Sequence, residues 1–130
     1  PATSGREPAP APIAERTPLF DRGQALSRIG GDEQLFRELA HLLVDEARQK
    51  HAEIDGALVG PDLERLAHVA HKLKGDAGTF ASAPLSDATV QLERAAKNGQ
   101  QETALAAARE TIAVFTDLVD AVRTDVLGAS

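Results

Sequence analysis

From Leu19 onward, apolar residues recur every three or four positions, which is the spacing of amphipathic helices. No stretch alternates apolar and polar residues for long enough to indicate a strand. Gly, Pro and Asn interrupt the helical pattern at 30–31, 60–61 and 98–99, which excludes one long coiled coil. The pattern therefore predicts an all-α chain whose separate helices pack through their apolar faces.

The interruptions divide the pattern into a short first helix and four longer ones. Asp21, Asp32, Asp62 and Ser82 stand where N-caps are expected. The predicted helices cover about 22–29, 33–58, 63–81, 83–97 and 102–126. In the last helix the predicted inward stripe is Leu105, Ala108, Ile112, Phe115, Val119, Val122 and Val126. Short links favour an antiparallel up-and-down four-helix bundle with a short extra N-terminal helix.

Residues 1–18 differ from the rest of the chain. They contain five of the seven prolines and almost no large apolar side chain. Such a segment cannot bury enough surface to offset its ordering entropy. We expect a flexible, disordered Pro-rich linker at 1–18 and one domain over 19–130.

Composition excludes several function classes. The chain has no cysteine, hence no disulfide and no thiolate site. A net charge of −6 and the absence of Trp and Tyr disfavour binding to nucleic acid or to anionic lipid. No apolar run approaches the roughly 18 residues of a membrane span. We expect a cytoplasmic domain without direct membrane contact.

The third predicted helix has an unusual surface. At about 100° per residue, its apolar residues form one arc, and His71 points about 130° away from the centre of that arc. One cation and three very small residues lie within about 60° of His71 on the helix surface, namely Lys74, Ala67, Gly75 and Gly78, and Glu64 lies within about 20°. Each interior glycine costs about 1 kcal/mol relative to alanine, so this surface requires an explanation.

Two explanations are open on helical spacing alone. Gly75 and Gly78 could let a neighbouring helix or loop approach closely, with His71 an ordinary surface histidine. Alternatively, a partner protein brings a reactive group to His71, and Cβ atoms at both glycines would obstruct it. Neutral imidazole is a nucleophile near physiological pH, and Lys74 offers a positive charge to an anion on the ring.

Residues 70–78, AHKLKGDAG, resemble the H-x-L-K-G signature of histidine phosphotransfer (HPt) domains. Leu85 and the pair Leu92-Glu93 stand where that family has a later Leu and a Leu-Glu pair. Upstream, the residues that resemble the usual approach to the family's long second helix are at 20–21, 25–26, 30–32 and 35–36. The resemblance spans about 19–99, and the last helix agrees in pattern only.

The resemblance implies a phosphorelay intermediate. His71 is then the phosphoacceptor, taking a phosphoryl group through Nε2 from a receiver-domain aspartate and passing it to another receiver aspartate. Lys74 is expected to neutralise part of the phosphoryl charge. The expected docking residues for the receiver are Ala67, His68, Lys72, Gly75 and Gly78.

The resemblance also implies the molecular context. The partners are response-regulator receiver domains, including one in the same polypeptide. The domain needs no cofactor of its own, because the partner receiver supplies Mg²⁺, and no autonomous catalysis is expected. The linker favours a module of a hybrid sensor histidine kinase, tethered to a membrane-bound sensor, since tethering raises the effective concentration of the receiver.

Glu93 has two open interpretations. In chemotaxis-kinase relatives, a Glu 22 positions after the histidine accepts a hydrogen bond from the imidazole and sets its tautomer, and the spacing here is the same. The alternative is an ordinary i,i+4 ion pair with Lys97. Two positions depart from the family: Asp76 replaces a small residue but points away from His71, and Ala81 replaces a frequent Gly at the helix exit.

Other functions remain as alternatives. A chemotaxis-kinase-type domain would be phosphorylated directly by an ATP-bound kinase domain. A metal-binding bundle would use Glu64, His68 and His71, and a helical adaptor would not use His71 at all. His41 and His51, on the long helix, are interpreted as surface residues without a partner.

Overall fold

The computed structural model describes residues 19–128. The predicted linker at 1–18 lies outside the described residues. Within them the chain forms five helices and no strand: α1 (Arg22–Arg28), α2 (Glu33–Val59), α3 (Leu63–Thr79), α4 (Ala83–Lys97) and α5 (Gln101–Asp125). The all-α fold class is confirmed. None of these five helices combines the length and apolar character needed to cross a bilayer.

Side-chain caps define where four of the five helices begin. Asp21, Asp32, Asp62 and Ser82 each accept a hydrogen bond from the backbone N–H three residues further along the chain. Each cap satisfies one of the N–H groups that a helix start leaves unpaired. Gln100, before α5, makes no such side-chain hydrogen bond. The predicted N-caps are therefore confirmed.

The four long helices form a closed ring. The links 60–62, 80–82 and 98–100 are short, so successive helices reverse direction. α3 packs between α2 and α4, and α5 packs between α4 and α2. The short α1 lies at one end, where Asp21 N donates to the carbonyl oxygens of Phe80 and Ala81 at 3.2 and 3.1 Å. The predicted four-helix bundle with an extra N-terminal helix is confirmed.

The ring encloses one apolar core. Its largest fully buried side chains include three phenylalanines and several leucines, namely Phe36, Phe80, Phe115, Leu66, Leu73, Leu85, Leu92 and Leu118. The rings of Phe36 and Phe80 lie 5.7 Å apart between centroids, which joins α2 to the end of α3. The core thus holds α3 with one face fixed inward and the opposite face in solvent.

The buried face of α5 differs from the predicted stripe. Ala104 and Thr111 are fully buried, whereas Leu105 and Ile112 are only half-buried. The reason is that α5 contacts helices on two sides, and small residues occupy the line of closest approach. Thr111 fits there because its hydroxyl donates to the carbonyl oxygen of Ala107 at 2.8 Å.

α3 ends at Thr79, earlier than the predicted residue 81. Ser82 N donates to Ala77 O and Ala81 N donates to Gly78 O, the paired hydrogen bonds of a Schellman cap. The cap requires a left-handed residue, and Ala81 occupies that position with φ of 52°. The expected difficulty at the helix exit is thus located at Ala81 itself.

Candidate functional site

His71 lies in the middle of α3 on the face opposite the core. Its side chain is 72% exposed, whereas Leu73 and Ala70 on the same helix are buried. The ring is not buried in the bundle, so a second protein can reach it. Its Nδ1 faces α4, where the nearest carboxylate oxygen, Glu93 Oε2, lies at 3.7 Å.

Glu93 connects α3 to α4 through two lysines. Its Oε1 accepts a hydrogen bond from Lys74 Nζ at 3.1 Å, and its Oε2 lies 3.0 Å from Lys97 Nζ. The carboxylate is only 14% exposed. Both interpretations of Glu93 thus describe part of its geometry, although 3.7 Å to His71 is longer than a hydrogen bond.

The two lysines hold Glu93 in its charged form. Hydrogen bonds from Lys97 and Lys74 lower the pKa of Glu93, and they outweigh burial, which acts in the opposite direction. A lowered pKa means that this carboxylate stabilises the folded state above its ordinary pKa of 4.5, and that the contribution is lost as the pH falls through the lowered value. Glu93 is therefore an anion beside His71 at neutral pH.

The helix pattern predicts where Lys74 lies on α3 but not which group it contacts. It lies one turn from His71 on α3, as expected, but its ammonium group is paired with Glu93 and not free beside the imidazole. The pairing could not be read from the helix pattern, because it depends on how closely α4 approaches α3. An anion on His71 would therefore compete with Glu93 for Lys74.

The glycines leave the surface beside His71 open. A Cβ atom built at Gly75 or Gly78 would have no other atom within 4 Å apart from its own chain neighbours and helix backbone. The explanation that these glycines admit a neighbouring helix or loop is therefore wrong. A residue that sequence reasoning missed lies nearby, because Arg28 of α1 donates to the carbonyl oxygen of Gly78.

The other predicted docking residues lie on the same helix with different surroundings. His68 is exposed and Ala67 is half-buried. Lys72 turns toward α2, where its Nζ lies 3.4 Å from Glu53 Oε2. His71, Gly75 and Gly78 thus share the open surface, whereas Lys72 lies at its edge on the α2 side.

Asp76 is not a neutral replacement for a small residue. Its carboxylate lies 2.8 Å from Lys50 Nζ of α2, and the two side chains are 20% and 14% exposed. Burial raises the pKa of Asp76, and the pair with Lys50 opposes this without cancelling it. Hydrogen bonds with Asp76 and Glu46 raise the pKa of Lys50 although burial acts to lower it. This pair joins α2 to α3 behind the open surface.

Two further interpretations are corrected by the structure. His51 does have a partner, since its Nδ1 lies 3.1 Å from Asp55 Oδ2 one turn later. The candidate metal set of Glu64, His68 and His71 does not assemble. Over residues 19–128, no three His, Cys, Asp or Glu side chains come together in a way that could hold a metal ion.

Comparison with known proteins adds one finding. Residues 38–125 match the family model of the Hpt domain, from the second turn of α2 to the end of α5. No curated protein and no solved structure matches the chain. The matched residues include His71, Lys74 and Glu93 and cover about two thirds of the sequence. The chain therefore belongs to the Hpt domain family, whose members carry out histidine phosphotransfer in two-component signalling and interact with receiver domains and kinases.

Proposed function

We propose that this domain is a phosphorelay intermediate that acts in the cytoplasm. His71 accepts a phosphoryl group from the aspartate of one response-regulator receiver and passes it to the aspartate of another. The observation that carries this proposal is the exposed imidazole of His71 beside two glycines whose Cβ positions are open. A docked receiver can bring its aspartyl phosphate within bonding distance of the ring only across such a surface.

The transfer is a displacement at phosphorus. The lone pair of His71 Nε2 forms the P–N bond as the P–O bond to the aspartate breaks, and its electron pair leaves on the carboxylate. The hydrogen on Nδ1 stays in place, and Nδ1 is the nitrogen that faces Glu93. Return to a second receiver reverses the same bonds. In this proposal the domain contributes mainly a nucleophile and its orientation. This is consistent with the expectation that the domain does not catalyse the transfer on its own.

Glu93 and Lys74 carry opposite charges and have different roles in this proposal. The charged carboxylate of Glu93, 3.7 Å from Nδ1, favours the tautomer with hydrogen on Nδ1, which leaves the Nε2 lone pair free. Lys74, one turn from His71, supplies positive charge to the phosphoryl oxygens. Ala67, His68, Lys72, Gly75 and Gly78 form the surface on which the receiver docks.

Mg²⁺ comes to the reaction with the receiver in this proposal. Mg²⁺ requires several oxygen ligands in octahedral geometry. Among the residues that the structure describes, the carboxylate found within 4 Å of the His71 ring is that of Glu93, and two lysines already contact it. Such a donor set suits an anion better than a divalent cation, which supports a receiver, and not this domain, as the holder of Mg²⁺.

The Pro-rich composition of residues 1–18 supports a tethered module. A Pro-rich tether keeps the local concentration of a receiver in the same polypeptide high. We therefore assign the domain to a hybrid sensor histidine kinase, with the receiver of that kinase as the first donor.

The test of the proposal is replacement of His71. The purified chain is incubated with candidate phosphorylated receivers, and acid-labile, alkali-stable label is measured. We expect His71→Gln to abolish the label while helical circular dichroism is unchanged, because the side chain is exposed. His41→Gln is the matched control, an exposed histidine of α2 outside the docking surface that should keep the label. Label that persists on His71→Gln would contradict the site assignment.

A second candidate function is favoured by Glu93. The family resemblance associates a Glu at this position with chemotaxis-kinase-type domains, which an ATP-bound kinase domain phosphorylates directly. Incubation with an isolated histidine-kinase catalytic domain and ATP, without any receiver, separates the two functions. Label on His71 under those conditions favours the chemotaxis type, and label only with a phosphorylated receiver favours the relay.

A further inference from the structure

We propose that Lys97 is a positioning residue that frees Lys74 from Glu93 when His71 carries a phosphoryl group. This inference rests on the proposed function of His71. It concerns a lysine that the docking surface does not include, at the last residue of α4.

The geometry gives Glu93 two cations from two helices. Lys74 on α3 contacts Oε1, and Lys97 on α4 contacts Oε2, at 3.1 and 3.0 Å. Lys97 lies one turn after Glu93 on the same helix, so this pair forms within α4 alone. Lys74 lies three residues after His71 on α3 and can reach either Glu93 or an anion on His71.

A phosphoryl group on His71 attracts the ammonium group of Lys74 away from Glu93. If Lys74 were the only partner of Glu93, its movement would leave a carboxylate that is 14% exposed without a cation. That carboxylate would also lie near the new negative charge, which is unfavourable in a partly desolvated site. With Lys97 present, Glu93 stays paired and Lys74 can move. Both lysines contribute to the lowered pKa of Glu93, and the hydrogen bond from Lys97 is the largest single cause.

The size of the effect follows from exposure. The side chain of Lys97 is 65% exposed, so the pair is screened by water and its contribution is modest. We expect a change of about two- to fivefold in the level of phosphohistidine when Lys97 loses its charge. The transfer to the ring keeps its chemistry, and only the stability of the product changes.

The test uses phosphoramidate as the phosphoryl donor, so that no receiver is needed. Its P–N bond breaks as His71 Nε2 bonds to phosphorus, and the nitrogen, already protonated in phosphoramidate near neutral pH, leaves with the bonding electron pair as ammonia. Steady-state label and its lifetime are measured on the full chain. Lys97→Met should lower both by about two- to fivefold, and Lys97→Arg should restore them. Arg94→Met, the loss of another exposed cation in the last turn of α4, should leave them unchanged.

A double replacement tests whether Lys97 acts through Glu93 or only through its own positive charge. In a Glu93→Gln background no carboxylate holds Lys74, so Lys97→Met should have no further effect. The proposal is overturned if Lys97→Met behaves like Arg94→Met, or if it lowers the label equally with and without Glu93. Absence of label on the unmodified chain with phosphoramidate and with phosphorylated receivers would instead refute the function of His71, and this inference with it.

Discussion

At Gly75, the stability of the fold and the proposed function favour different residues. It lies one turn from His71 in the interior of α3, where glycine is an unfavourable helix former. Its Cβ position is open, so packing does not require a glycine there. The proposed function gives a better reason for the choice, because a side chain at Gly75 would project into the space that the docked receiver occupies in that proposal.

Replacement of Gly75 should therefore move stability and transfer in opposite directions. We expect Gly75→Leu to raise the free energy of unfolding by about 0.5–1 kcal/mol through helix propensity. The same variant should slow transfer from a phosphorylated receiver at least tenfold, because the side chain obstructs docking. The measurements are denaturant unfolding and the rate of labelling of His71.

The control for Gly75→Leu places the same leucine side chain at an exposed position of another helix. Ala113→Leu adds a leucine at an exposed position of α5, and it should leave the transfer rate unchanged. A transfer rate for Gly75→Leu equal to that of the control would remove α3 from the docking surface.

The exposure of His71 could be predicted from the sequence because it depends on the geometry of one helix. The angle between His71 and the apolar arc of α3 follows from 3.6 residues per turn. The partner of Lys74 could not be predicted in this way. Its contact with Glu93 depends on the separation and rotation of two helices, which no single-helix pattern contains.

At the scale of the elements, three helix ends share one design and differ at one residue. α1, α3 and α4 each end in a pair of hydrogen bonds of the Schellman type. The left-handed residue is Gly30 in α1 and Gly99 in α4, with φ of 73° and 71°. In α3 it is Ala81, for which the left-handed conformation costs roughly 1–2 kcal/mol.

The difference predicts a stabilising substitution. Ala81→Gly should raise the free energy of unfolding by about 1 kcal/mol, since relief of the backbone exceeds the loss of one half-buried methyl group. Thermal or denaturant unfolding measures it. Labelling of His71 should stay the same, because the exit of α3 lies more than two turns from His71.

Gly99→Ala is the matched control for this prediction. It places alanine in the same cap of α4, where φ is 71°, and should lower the free energy of unfolding by about 1 kcal/mol. If both substitutions destabilise the domain, the methyl contact of Ala81 outweighs its backbone conformation and the prediction is wrong.

At the scale of the whole molecule, the pair Lys50–Asp76 shows how the bundle supports the site. It joins α2 to α3 at 2.8 Å, one residue after Gly75, with both side chains mostly buried. A pair of this kind adds little net stability, but removal of one partner leaves a buried charge unpaired. It restricts how α3 can rotate against α2 while the opposite face of α3 stays in solvent.

Removal of Lys50 should make stability depend on pH. Without Lys50, nothing opposes the effect of burial, and the pKa of Asp76 rises further above its ordinary 3.8. A carboxyl with a raised folded-state pKa favours folding in its protonated form. The loss in Lys50→Met is therefore small below about pH 4 and develops as the pH rises through the raised pKa. At pH 7 we expect about 1–3 kcal/mol by denaturant unfolding.

Two comparisons check this prediction. Arg48→Met removes an exposed cation from the same helix and should cost little at any pH. The double variant Lys50→Met with Asp76→Leu replaces the pair by apolar side chains and should be more stable than Lys50→Met alone. A loss in Lys50→Met that is the same at pH 4 and pH 7 would show that Asp76 does not carry the effect.

The sequence by itself determined the five helices, the N-caps of four of them and the exposure of His71. These depend on contacts within about one turn, and the residues that make them are neighbours in the chain. Only the tertiary structure decided the pairing of Glu93 with two lysines, the burial of Asp76 against Lys50 and the wide buried face of α5. Those depend on how closely helices approach, which is set by the packing of the whole core and not by the period of any one helix.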